Sequence, residues 1–232
     1  MPRKRTIPDT TVLDAALALA ESAGPGALTF ASLSAEIGLA PATLVQRFGT
    51  KARLLQAALL RAWDLLDEAT AAADAASGPG PTGVVEMVVA LSGQYDRAEP
   101  PGEPTQKARQ TFSEAQPRSI DGPPPADARD PYADQILLLR EDLRDPVLRA
   151  RGQAWIATLA AAIERRLEGG EPGVGRLVVA QWQGSLTVWQ FHREGDLDVA
   201  LGTAVASLLT ALGFPVTPPR PRRRPRGTPP PR

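Results

Sequence analysis

Gly38 divides the most constraining stretch of this chain, LTFASLSAEIGLAPATLVQRFGTK over residues 28 to 51, into two short amphipathic segments. Leu28, Leu33, Ile37, Leu44 and Phe48 recur at helical spacing on either side of it, which predicts two helices closing over one small core. Gly38 sits where the first helix must stop and turn. Thr29 is placed to N-cap that helix, and Pro41 fits the first turn of the next, where its missing N–H costs nothing. The pattern is that of a helix-turn-helix, a unit that sets one helix in the DNA major groove. With Leu44 and Phe48 turned inward, Ala42, Thr43, Gln46 and Arg47 fall on the outer face. Two small residues there allow close approach, and Gln46 and Arg47 can address adenine or guanine edges, or phosphates. A polar surface helix in an Ala-rich and Leu-rich protein would show the same pattern, so the flanking sequence has to decide.

The flanks carry a longer order of parts over residues 10 to 59. An amphipathic first helix holds Val12, Leu13, Ala16 and Leu17 and ends near Gly24. Ala27-Leu28-Thr29 leads into the helix with Leu33 and Ile37, and Gly38-Leu39 makes the turn. The Thr43-Leu44 helix follows, then Phe48-Gly49-Thr50-Lys51 and an apolar Leu54-Leu55 run. This block resembles the N-terminal domain of the TetR family of repressors. The resemblance implies DNA contacts from Thr29, Ser32, Ala42, Thr43, Gln46, Arg47 and Lys51, the last a phosphate-contacting lysine just after the recognition helix. Two positions depart from the family pattern. Val45 stands where a tyrosine commonly meets a phosphate, and Ala40 stands where a Ser or Thr usually caps the recognition helix, so a side-chain cap worth about 1 kcal/mol is missing.

Charge supports a DNA reader only when it is divided by region. The 26 basic and 26 acidic residues cancel overall. Residues 1 to 53 hold six bases against four acids, and the tail from Pro215 holds six arginines and no acid. That leaves fourteen bases against twenty-two acids, a balance of −8, for residues 54 to 214. Basic character is confined to the reader and the tail, as expected if one end of the protein meets phosphates. Arg3, Lys4 and Arg5, within a flexible arm over residues 1 to 8, are candidates for added phosphate or minor-groove contacts, or simply a solvated start.

Composition removes several chemistries. There is no Cys, which excludes disulfides, zinc-thiolate sites and thiol nucleophiles, and His192 is the single histidine, which excludes multi-histidine metal sites. No P-loop and no GxGxxG is present. No cofactor and no metal are expected, and an enzyme on a helical scaffold has no nucleophile or acid-base pair to point to, since Asp134, Glu141 and Asp142 read as solvated helix charges. No run of 18 uncharged apolar residues occurs, and the basic N-terminus lacks the apolar segment of a signal peptide, so a cytoplasmic protein without membrane association is expected.

The fold class expected is all-α: a three-helix helix-turn-helix domain over residues 9 to 51, then a helical ligand-binding and dimerisation domain over 52 to 214. A long helix from Lys51 carries Leu54, Leu55, Ala58, Leu59, Ala62, Trp63 and Leu66. SGPGPTG at 77 to 83 breaks it, and 84 to 95 forms the next helix. A weaker helix is predicted at 105 to 115, a Pro-rich mobile loop at 116 to 131, helices at 132 to 143 and 146 to 168 split at Asp145-Pro146, and two apolar helices at 175 to 192 and 197 to 212. The tail, 215 to 232, has too little apolar content to fold and reads as disordered or polyproline-like.

With 43% hydrophobic residues the chain can bury a substantial core, and its last two helices offer more apolar surface than a monomer readily covers. In the TetR family such a pair makes a four-helix dimer interface, which implies a homodimer on a near-palindromic operator. The family also places a small-molecule inducer in the body. Met87, Phe112 and Trp155, with Gln153 and Gln183 as polar anchors, are the candidate ligand contacts here. The resulting expectation is a regulator, of the repressor type by resemblance, that binds double-stranded DNA and is released by an unidentified effector. The alternative kept open is a helical interaction protein that retains the fold without specific DNA reading.

Overall fold

The computed structural model describes residues 7 to 96 and 131 to 216, and every regular element among them is helical. The helices are α1 (Asp9–Ala23), α2 (Phe30–Ile37), α3 (Pro41–Phe48), α4 (Lys51–Ala76), α5 (Gly80–Asp96), α6 (Pro131–Arg144), α7 (Pro146–Glu164), α8 (Val174–His192) and α9 (Leu197–Ala211). The helix expected at 105 to 115, nearly all of the Pro-rich loop and the tail beyond residue 216 lie outside the described residues, as do Arg3, Lys4 and Arg5.

Local chemistry sets most of the boundaries. Thr29 caps α2, and Ala40 leaves α3 without a side-chain cap while Pro41 opens its first turn. Gly38 closes α2 with a left-handed φ of 71°, a conformation that costs a glycine nothing. Asp145 caps α7: its Oδ1 accepts from the N–H of Val147 at 2.8 Å and of Leu148 at 3.2 Å, while Oδ2 accepts from the Gln56 amide at 2.7 Å. Burial alone would raise the Asp145 pKa; the Leu148 N–H, the Gln56 amide, the Val147 N–H and Arg149 outweigh it and hold it below the usual carboxylate range. Two boundaries differ from expectation: the helix expected to run to 168 ends at Glu164, and the α4–α5 break is also changed. The break after α4 is shorter than SGPGPTG suggests, because Pro81 sits in the first turn of α5, where proline is compatible with a helix.

The chain packs as two compact units whose limits differ from the domains read off the sequence. Among the described residues, one contains 7 to 68, 95 and 96, and 131 to 155, the other 69 to 94 and 156 to 216. In the first unit, Val12, Ala16, Leu17, Leu28, Leu33, Leu44, Leu54 and Ala58 form a core, with Ile7, Phe30, Ile37 and Phe48 packed on it. A smaller cluster joins Ala20 and Leu59 to Leu138 of α6 and Leu148 of α7. The helix-turn-helix segment therefore shares its packing with α6 and the start of α7, because Ala20 and Leu59 carry the α1–α4 core past the end of the three-helix set. Ile7, expected within a flexible arm, is packed against this core.

In the second unit α8 and α9 pack closely together. Trp182 is fully buried and donates its indole N–H to Ser92 Oγ at 3.1 Å, so the largest side chain of that core leaves no polar atom unmet. Gly175 lets α8 approach α7: a Cβ there would stand 2.2 Å from the Ala160 carbonyl oxygen. Arg166, held by Asp74 and by the carbonyls of Asp74, Ala162 and Gly78, ties the end of α7 to the α4–α5 turn.

Candidate nucleic-acid interface

The start of α2 is a closed capping box. Thr29 Oγ1 accepts from the Ser32 N–H at 3.0 Å, and Ser32 Oγ accepts from the Thr29 N–H at 2.9 Å while donating to the Ala27 carbonyl at 2.8 Å. Ser32, expected at the DNA, has its hydroxyl committed inside the domain, so its role here is to fix the entrance of α2. Thr29 is also engaged in the box, but its residue remains exposed.

Leu44 is fully buried and anchors α3, so the opposite side of the helix faces outward. Ala42, Thr43 and Gln46 are exposed there, as the helical spacing predicts. Val45 is exposed beside them, at 46%. Arg47 departs from that spacing. Its guanidinium is paired with Asp9 and donates to the Ile7 carbonyl at 2.9 Å, with its charge 5.7 Å from the centre of the Phe48 ring. The side chain folds back onto the start of α1 because Arg47 lies one residue from Phe48 on the flank of α3, where an acid and an open carbonyl are within reach. That partnership is invisible to helical spacing alone.

Past α3, Thr50 Oγ1 accepts from the Arg53 N–H at 3.2 Å and caps α4. Lys51 is exposed and its ammonium donates to the Gly26 carbonyl at 2.8 Å, bridging the start of α4 to the α1–α2 turn. Arg53, also exposed, lies alongside Gly49. The amino end of α4 thus brings two cationic side chains and a helix dipole to the carboxyl end of α3, a combination suited to a phosphate. Arg53 was not among the residues singled out from the sequence, although it stands two residues after Lys51 in the same helix-opening turn.

The four described residues among the five proposed for a ligand do not gather within one unit. Trp155, in the first, is 3% exposed and packs against Trp63 with ring centroids 5.8 Å apart. The Trp63 indole donates to Asp142 at 3.1 Å, and burial, aided by nearby Asp145 and opposed by this hydrogen bond, pushes the Asp142 carboxyl above its usual range. Gln153 is exposed. Met87, fully buried, and Gln183 belong to the second unit, and Phe112 lies outside the described residues. None of the four described ones lines the open cavity of about 610 Å³ in the second unit, whose walls include Asp74, Ser77, Arg165, Arg166, Glu168 and Phe214. Among the described residues no group of three or more His, Cys, Asp or Glu could hold a metal ion, and no helix is long and apolar enough to cross a membrane.

Residues 12 to 58 match the family model for bacterial regulatory proteins of the tetR family. The match covers α2 and α3 with most of α1 and the first part of α4, so over these residues the chain is similar to the N-terminal domain of that family. No curated protein matches the sequence. Among solved structures, the chain is similar to the transcriptional repressor QsdR of the TetR family from R. erythropolis, with 13% identity and a TM-score of 0.49, covering 90% of this chain and 96% of that one. It is also similar to AmtR of Mycobacterium smegmatis, with 22% identity and a TM-score of 0.33, covering 94% of this chain and 99% of that one.

Proposed function

We propose that the protein is a homodimeric repressor that reads a near-palindromic operator with α3 and releases it on binding a small molecule. The observation that carries the reading is the outward face of α3. Ala42, Thr43 and Gln46 stand exposed on a helix anchored by Leu44, with Lys51 and Arg53 immediately beyond it. Gln46 has the donor and acceptor pair that addresses adenine, and the two cations supply sequence-independent attraction to phosphates. Dimerisation is supported by α8, where Leu177, Val188 and Phe191 are 47%, 57% and 85% exposed. At about 100° per residue these three fall within an arc of about 60°, opposite the face that holds Trp182 and Leu186. The repressor role and the effector rest on the TetR resemblance. A ligand releases DNA only if it binds more tightly to a body shape that mismatches the two half-sites.

The test is binding of the purified protein to duplexes from its own promoter region across a salt series. Sequence-selective binding that weakens with salt is expected. Gln46→Ala should relax preference at one base pair per half-site, whereas Lys51→Ala should weaken every sequence about equally and reduce the salt slope by about 1 per reader. Absence of any sequence-selective, salt-sensitive binding would overturn the reading in favour of a helical interaction protein.

A further inference from the structure

Val45, at 46%, is the one exposed large apolar side chain among the described residues of α1, α2 and α3. It sits on the outward face of α3, one residue from Gln46 and three from Ala42. It adds nothing to the core, whose contribution from α3 is made by Leu44 with Phe48 packed on it. Nor does it serve the helix, since a β-branched residue is a poorer helix former than alanine. An isopropyl group has no donor or acceptor, so it cannot hold a phosphate or a polar base edge. The major groove presents one apolar group among its base edges, the C5-methyl of thymine.

We propose that Val45 is a specificity-determining residue that packs on a thymine methyl in each operator half-site, beside the base pair addressed by Gln46. The inference rests on the DNA-reading function proposed above and deepens it. Opposite a cytosine amino group or a guanine carbonyl the same side chain would cover a polar edge without satisfying it, so selectivity comes from both attraction and exclusion. Ala42, one turn earlier and small, leaves room for the groove wall to approach Val45.

The duplex most tightly bound by the wild-type protein, selected from promoter fragments, is remade with each thymine replaced in turn by uracil, which removes only the methyl group. One replacement per half-site should weaken wild-type binding roughly fourfold, about the worth of one buried methyl. The Val45→Ala variant should bind the thymine and uracil duplexes equally at that position, and its unchanged melting temperature should confirm an intact fold. Val45→Thr, close in shape, should retain part of the discrimination. If wild type and Val45→Ala respond alike to every replacement, the inference is overturned while DNA reading stands. If the wild type selects no duplex, DNA reading itself is overturned and the inference with it.

Discussion

Arg47 joins α3 to the beginning of α1 through an ion pair with Asp9, a hydrogen bond to the Ile7 carbonyl and a ring contact with Phe48. Its side chain is 22% exposed and that of Asp9 is 67% exposed, so the ion pair is screened and the backbone hydrogen bond contributes more. Arg47→Ala should therefore destabilise the protein by about 1–2 kcal/mol, measured as a shift in the denaturant midpoint. It should also weaken binding to all duplexes by a common factor, leaving the order of preference intact; a changed order would mean that the guanidinium reads a base after all. Thr29 and Gly38 were legible as cap and turn because each meets a local need of its own backbone. The partners of Arg47 and Ser32, Asp9 and Ile7 in one case and Ala27 in the other, were not legible, because they are supplied by the folded loop and the start of α1 rather than by helical spacing.

Helix ends were the most legible part of the fold. Gly24, Gly38, Pro41 and the Asp145-Pro146 step each mark a boundary where the backbone changes state. Packing between helices was not legible, and Gly175 shows why. In the sequence it is a glycine at the beginning of a helix, with nothing to distinguish it from Gly184 in the same helix. In the structure a Cβ at 175 would stand 2.8 Å from Glu164 Cγ and closer still to the Ala160 carbonyl, whereas one at 184 would meet nothing. Gly175→Ala should push α8 off α7 and cost about 1–3 kcal/mol in urea unfolding, while Gly184→Ala should be neutral or slightly stabilising through helix propensity. Similar costs at both positions would mean that the close approach is not a real constraint.

The proposed homodimer accounts for Phe191, whose 85% exposure is hard to explain in a chain that works alone. Phe191→Asp combined with Val188→Asp should halve the mass seen by sedimentation without lowering the melting temperature of the protomer. Operator affinity should fall at least tenfold, because the second half-site would then be met only by a separate molecule. An unchanged mass would place the interface elsewhere. By itself the sequence determined the helical class, the order of helices and the small core around Leu33 and Leu44, because apolar spacing and backbone punctuation are local properties. It also determined which residues could reach outward from α3, since helical geometry places Ala42, Thr43 and Gln46 opposite Leu44. Only the tertiary structure decided that Arg47 is a tie to the start of α1, that Trp155 is core against Trp63, and that α6 and the start of α7 pack with the helix-turn-helix segment. Each of these depends on residues far apart in the chain, whose proximity is created by the fold and leaves no mark in local spacing.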